Sequence, residues 1–202
     1  NQSVIVATCR DSILQPKFNF IKRMIDEGKL GKIYHIHFRH LSQSTFIEYN
    51  PNGAWGMNKK TAGGGPAFDW GGYDMAFHMG LLENAYNCTR IESIQRNDLR
   101  DLHSLAPICD IEQHVAAYMR FKPDFTFYYE RAAGAHLEVE SETSLFGTKG
   151  GLKFSYYPWE KPFVDFFHAG PSGKDSPSHE RIQIDMGNYK TGNIDFIEHV
   201  LD

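Results

Sequence analysis

The sequence predicts an α+β fold: an open, mostly antiparallel β-sheet with helices packed on one face. Three observations lead there. The first half reads as helix, strand, long loop and helix, and the second half as strand-like runs joined by tight turns. That order is not the regular β-α-β alternation of a parallel doubly wound sheet. Phenylalanine and tyrosine are plentiful, with 15 and 10 copies, and both suit a pleated sheet and apolar surfaces that need a partner.

The elements follow in order. Ser3-Val4-Ile5-Val6-Ala7-Thr8 reads as a strand that ends in a turn at Cys9-Arg10-Asp11. From about Gln15 to Lys29, Phe18, Ile21, Met24 and Ile25 fall on one helical face, and Gly28 and Leu30-Gly31 supply the stop. Ile33 to Leu41 reads as a strand, with Ile33, His35, His37 and Arg39 on one face and Tyr34, Ile36, Phe38 and His40 on the other. Residues 42–62 are polar and irregular, and long loops in compact domains are often functional. A helix is expected from Ala67 to Leu82. Its Gly71, Gly72 and Gly80 each cost about 1 kcal/mol relative to alanine, so close approach of a backbone or ligand is expected there. Strands are expected at 91–95, 112–121, 125–131, 137–146 and 152–157, with a hairpin turn at Lys122-Pro123-Asp124 and another turn at Gly147-Thr148-Lys149-Gly150-Gly151. Residues 158–180 read as an excursion with an aromatic patch. The chain closes in a helical pattern from Asn193 through Ile194, Phe196, Ile197, Val200 and Leu201. Because it ends inside that pattern, residues 1–202 are expected to form one domain of a longer protein.

Composition narrows the function. A net charge of −4 and no long basic run argue against a nucleic-acid partner. No apolar stretch approaches the ~20 residues that span a bilayer, and no signal peptide is visible, so no membrane role and a cytoplasmic location are expected. Cys9, Cys88 and Cys109 are widely spaced and form neither a disulfide framework nor a zinc ribbon. His35, His37 and His40 cluster on one strand, but no carboxylate or cysteine joins them at ligand spacing, so no metal is expected.

The densest chemical signal is Gly63-Gly64-Gly65-Pro66-Ala67-Phe68-Asp69-Trp70-Gly71-Gly72-Tyr73-Asp74-Met75-Ala76-Phe77-His78. On a helix, Asp69 and Tyr73 share a face, and Asp74 and His78 share another turned by about 100°. In either pair one group can move a proton while the carboxylate orients it. The plain structural reading also stands: Tyr73 packs with its hydroxyl satisfied, and Asp69 caps the helix or pairs with a cation. Trp55 offers an indole face suited to sugar stacking. No GxGxxG follows a strand and opens a helix, and nothing resembles a P-loop, so this chain alone is not built to hold a dinucleotide.

Four stretches in order resemble the C-terminal domain of the glucose-fructose oxidoreductase / inositol dehydrogenase / rhizopine catabolism (Gfo/Idh/MocA) family. They are the strand ending at Cys9-Arg10-Asp11, the passage Ile25-Asp26-Glu27-Gly28-Lys29-Leu30-Gly31-Lys32-Ile33, the Gly63-Gly64-Gly65 helix with Asp69 and Gly71, and the turn Phe146-Gly147-Thr148-Lys149-Gly150-Gly151-Leu152. The likeness covers roughly residues 3–155. It implies a dihydrodipicolinate-reductase-like C-terminal domain, with NAD or NADP bound mainly by an N-terminal Rossmann domain outside this sequence. It also implies hydride transfer at a CH–OH group of a sugar or polyol. Asp69 matches the family's aspartate. Tyr73 stands where a histidine is usual, and Ala76 where some members carry a second acid. On this reading Asp69 and Tyr73 are catalytic, and Trp55, Lys60, Arg39, His40 and His78 line the substrate pocket. Cys9 and Arg10 lie near the cofactor and the domain interface. Self-association through the uncovered sheet face is expected. A non-catalytic sugar-binding or assembly module on the same scaffold remains the alternative.

Overall fold

The computed structural model describes residues 11–83, 87–170, 177–187 and 189. The expected first strand, Cys9, Arg10 and the expected terminal helix lie outside them. Helix α1 spans Pro16–Asp26, with proline where a missing N–H costs nothing, and it buries Phe18, Ile21 and Met24. Gly28 and Gly31 follow at φ +70° and +69°, and a Cβ on Gly31 would fall 2.4 Å from Thr148 Oγ1. Only glycine turns the chain there without strain or clash. Strand β1 is Ile33–Ser42. The stretch expected to be irregular contains two single-turn helices, α2 (Phe46–Tyr49) and α3 (Lys59–Ala62), and a 3-10 turn at Ala54–Met57. Helix α4 is Pro66–Gly80.

The remaining strands are β2 (Asn87–Arg96), β3 (His114–Lys122), β4 (Phe125–Ala133), β5 (Val139–Gly147), β6 (Gly150–Phe154), β7 (Phe163–Ala169) and β8 (Pro177–Gln183). The last two correct the sequence reading, which took 158–180 for an excursion. The sheet order is β2-β3-β4-β1-β5-β6-β7-β8. Every neighbouring pair is antiparallel except β1 and β4, which run parallel with His35 opposite Thr126 and Ser42 opposite Ala133. A parallel pair needs a long crossover, and the stretch carrying α4 supplies it.

Alternation on the strands sets the core. Ile36 and Phe38 on β1 and Phe127 and Tyr129 on β4 face α1 and α4, and pack with Phe18, Ile21, Phe77, Leu145 and Phe154. A second small core of Ile47, Met57, Leu102, Ala106 and Ile111 ties the α2–α3 stretch to residues 97–113. The opposite sheet face is open, with Tyr118 and Phe146 exposed on it. At the α4 glycines no backbone comes close among the described residues: a Cβ on Gly80 would press on the Phe18 ring at 3.3 Å, one on Gly71 would meet the Tyr129 hydroxyl at 3.6 Å, and one on Gly72 would meet nothing within 4 Å.

Candidate functional site

A cavity of about 610 Å³ opens where the end of β1, the α2–α3 stretch, the start of α4, the end of β4 and residues 155–160 meet. Asp69, Trp55 and His40 all line it. Asp69 is exposed in the first turn of α4. Tyr73, one turn further on, is 44% exposed, and its ring lies 5.7 Å from that of Trp70, a lining residue. Tyr73 therefore stands beside the cavity rather than in its wall.

The floor is a buried polar network. Asp74 is fully buried, and its carboxylate accepts from Arg131 Nε and Nη2 at 2.7 Å each and from Tyr129 Oη at 2.8 Å, with Tyr156 Oη donating as well. Arg131 Nη2 also donates to Tyr157 Oη at 2.8 Å, and the guanidinium sits 5.3 Å from the centre of the Trp70 ring. Burial, then the Asp74 charge, pushes the Tyr129 and Tyr156 hydroxyls above the ordinary phenol range, which keeps both as donors. Burial works against the Arg131 cation, but the attraction of Asp74 outweighs it and its pKa is raised. Such a pair persists in an apolar interior because every charge is matched and hydrogen-bonded.

His40 lines the cavity with its ring 5.4 Å from Tyr157. Its Nδ1 is buried with no hydrogen-bond partner. Burial, then the nearby Arg131 charge, lowers its pKa to about 4. At neutral pH it is thus an uncharged imidazole that can both donate and accept. Glu160 also lines the cavity, and burial raises its carboxyl above the usual range. Partial burial and the Asp69 charge together raise the Tyr49 hydroxyl at the rim.

Glu112 explains the last of the three glycines, Gly65. Its carboxylate accepts from Gly65 N at 2.7 Å and Phe68 N at 3.3 Å, capping α4 from a distant segment. A Cβ on Gly65 would lie 2.0 Å from the Glu112 carbonyl oxygen. Glycine is required for that approach.

Three expected pocket residues are placed elsewhere. His78 is fully buried: Nδ1–H donates to the Asp74 backbone carbonyl at 2.6 Å and Nε2 accepts from Thr143 Oγ1 at 2.8 Å. This also removes the Asp74–His78 proton-transfer pair, since the imidazole meets the Asp74 main chain and both groups are sealed from solvent. Arg39 points to the open sheet face, where its Nε donates to Glu130 Oε2 at 2.8 Å. The parity of β1 requires this, because Phe38 takes the core side. Lys60 is exposed and its backbone N–H is taken by Asn58 Oδ1 at 2.9 Å, outside the cavity wall.

Sequence reasoning missed Arg131, Asp74 as its partner, Tyr157, Trp159 and Glu160. A signal for Arg131 existed. It shares strand parity with Phe125, Phe127 and Tyr129, so it had to be buried and had to find a carboxylate. Among the described residues no group of three or more His, Cys, Asp or Glu is placed to hold a metal ion, and no helix is long and apolar enough to cross a membrane.

Fold and cavity together define an α+β domain: an open eight-stranded sheet with helices on one face and a cavity at the end of β1 and β4. The chain belongs to the GFO/IDH/MocA family: residues 18–153 match its C-terminal domain. No curated protein sequence matches the chain. Among solved structures it is similar to levoglucosan dehydrogenase in complex with NADH and levoglucosan, with TM-score 0.72 and 17% identity over 95% of this chain and 54% of that one. It is also similar to an inositol dehydrogenase homolog with NAD+ from Azotobacter vinelandii, with TM-score 0.69 and 15% identity over 90% and 44%. An NAD-binding oxidoreductase from Klebsiella pneumoniae matches with TM-score 0.67 and 15% identity over 87% and 46%. The chain thus spans about half the length of these proteins, and at such identities the likeness concerns the fold.

Proposed function

We propose that this chain is the substrate-binding half of an NAD(P)-dependent oxidoreductase acting on a CH–OH group of a sugar or polyol. The observation that carries the reading is the placement of Asp69 in the cavity wall, with Tyr73 exposed one helical turn away. Levoglucosan and NADH in one similar structure, and the inositol dehydrogenase fold of another, support the substrate and cofactor classes.

The chain's own residues do not suit a dinucleotide. The N-terminus of α4, which would attract a pyrophosphate, is already occupied by the Glu112 carboxylate. On this reading the cofactor is held mainly by a separate nucleotide-binding domain, and Asp69 and the exposed Tyr73 remain accessible beside the cavity. When bound, the nicotinamide supplies the hydride acceptor or donor. Asp69 accepts a hydrogen bond from a substrate hydroxyl and orients the ring. Tyr73 gives its phenolic proton to the carbonyl oxygen during reduction and takes it back during oxidation. A phenol with a reference pKa of about 10 is a ready donor, and acts as a base near neutrality only beside a cation. Neutral His40, whose ring lines the cavity, offers a ring nitrogen to a second hydroxyl.

Turnover of the complete protein, followed by nicotinamide absorbance across neutral sugars and polyols, tests the reading. Asp69→Asn should lower kcat/KM by at least about tenfold, equivalent to about 1.4 kcal/mol of lost stabilisation. Reduction or oxidation of neither cofactor by any sugar would refute it. Sugar binding without turnover would favour the non-catalytic module, which Tyr73 and Ala76 in place of the usual histidine and acid also suggest. A second copy of the chain on the open sheet face completes the proposal, since a one-sided sheet with exposed aromatics buries them most economically by pairing.

A further inference from the structure

The cavity is lined by two separate aromatic groups from different parts of the chain. One is Trp70, Tyr157 and Trp159, with the Tyr157 and Trp159 rings stacked at 4.7 Å and Trp70 at 5.6 Å from Tyr157. The other is Phe46, Tyr49 and Trp55, with Phe46 at 5.6 Å from Tyr49 and 5.9 Å from Trp55. Trp159, Tyr49 and Trp55 are 62%, 67% and 59% exposed. Exposed rings concentrated about one cavity mark a binding surface.

The second group is built, not draped. Thr45 and Glu48 form a capping box on α2, and Arg100 grips the Glu48 carboxylate at 2.7 and 3.0 Å. Ile47 and Met57 anchor the stretch in its own small core. A Cβ on Gly53 or Gly56 would lie 2.4 or 2.6 Å from the Phe46 ring, so both glycines make room for it. Asp110 accepts the Lys59 N–H at 2.7 Å and closes the far end. This wall is set before any ligand arrives, and a cavity of about 610 Å³ is larger than one hexose ring fills.

Charge narrows the occupant. Asp69, Glu112 and Glu160 line the cavity, and Arg131, the one arginine lining it among the described residues, is held by Asp74. No lysine lines it among the described residues. A carboxylate or phosphate on the ligand would meet three acids and no free cation.

We infer that the substrate is an uncharged two-ring sugar, a glycoside or disaccharide whose reacting ring lies by Asp69 and Trp70 and whose second ring stacks on Trp55 and Phe46. This rests on the sugar oxidoreductase reading and adds a second subsite to it. The test is calorimetric titration of the complete protein with matched pairs: glucose and cellobiose, galactose and lactose, myo-inositol and galactinol, with glucuronate as the charged control. In at least one pair the two-ring sugar should bind tenfold or more tightly. Trp55→Ala should remove most of that advantage while changing the one-ring affinity far less, and glucuronate should bind at least tenfold more weakly than glucose. Equal affinities within every pair, or equal losses on Trp55→Ala, would overturn the second subsite and leave the oxidoreductase reading standing. Glucuronate binding as tightly as glucose would overturn the charge argument. Failure of every sugar to bind would overturn both readings.

Discussion

At the scale of single residues, two histidines show how environment decides role. His40 and His78 both have pKa values lowered to about 4, chiefly by burial. His78 has both ring nitrogens satisfied and serves the core, whereas His40 lines the cavity and leaves its Nδ1 without a hydrogen-bond partner. Burial of neutral His78 makes stability depend on pH. An unfolded histidine titrates near 6.5, so between that value and 4 the unfolded chain binds a proton the folded protein refuses. Stability from this residue is complete above about pH 6.5 and falls as pH drops toward 4, by about 3 kcal/mol in all. Urea unfolding at pH 7.5, 6 and 5 should give a midpoint that declines below pH 6.5, and a flat profile over that range would contradict the assignment. The site was partly legible in the sequence. Helical spacing put Asp69 and Tyr73 on one face, and tryptophan chemistry singled out Trp55. His78 was misplaced because four-residue spacing gives the face of a helix but not what that face meets. Lys60 was expected from its place in the long loop, and Arg39 was named without the parity that turns it to the other side of the sheet.

At the scale of elements, α4 carries most of the argument. Its N-terminus is fixed by Glu112, its second turn presents Tyr73, and its underside sends Asp74 into the core. The glycines of this helix divide into two kinds. Gly65→Ala forces a backbone contact of 2.0 Å apart and should cost at least about 2 kcal/mol, whereas Gly72→Ala enters open space and should add up to about 1 kcal/mol. Chemical denaturation of the two variants checks this, and equal effects would contradict it. Helix α1 also positions the site. Lys17 Nζ donates to the carbonyls of Ser155, Tyr157 and Glu160 at 2.7, 3.1 and 3.0 Å, and Gln15 Nε2 to that of Tyr156 at 2.9 Å. These bonds hold the segment that bears Tyr157 and Trp159. Alternation made β1, β3, β4 and β5 readable in the sequence. Strands β7 and β8 were not, because Phe166-Phe167 breaks alternation and a Gly/Ser/Pro-rich stretch separates them. They exist because β6 offers an edge to pair with, a tertiary cause no local pattern records.

At the scale of the whole molecule, one sheet divides two tasks. Its helix-covered face holds the core and the cavity, and its open face carries an aromatic row in which the His35 ring lies 5.3 Å from Phe146 and 6.4 Å from Tyr118. If a second copy covers that row, Tyr118→Glu should shift the protein from dimer to monomer in analytical ultracentrifugation without unfolding it, because Tyr118 is 43% exposed in the single chain. A monomeric parent, or an unaltered dimer in the variant, would contradict the pairing. The central claim concerns the other face, and the turnover number of a folded Tyr73→Phe variant of the complete protein measures it most directly. Loss of the phenolic proton should lower kcat about a hundredfold or more with little change in sugar affinity. A variant that turns over at the parent's rate would contradict the claim.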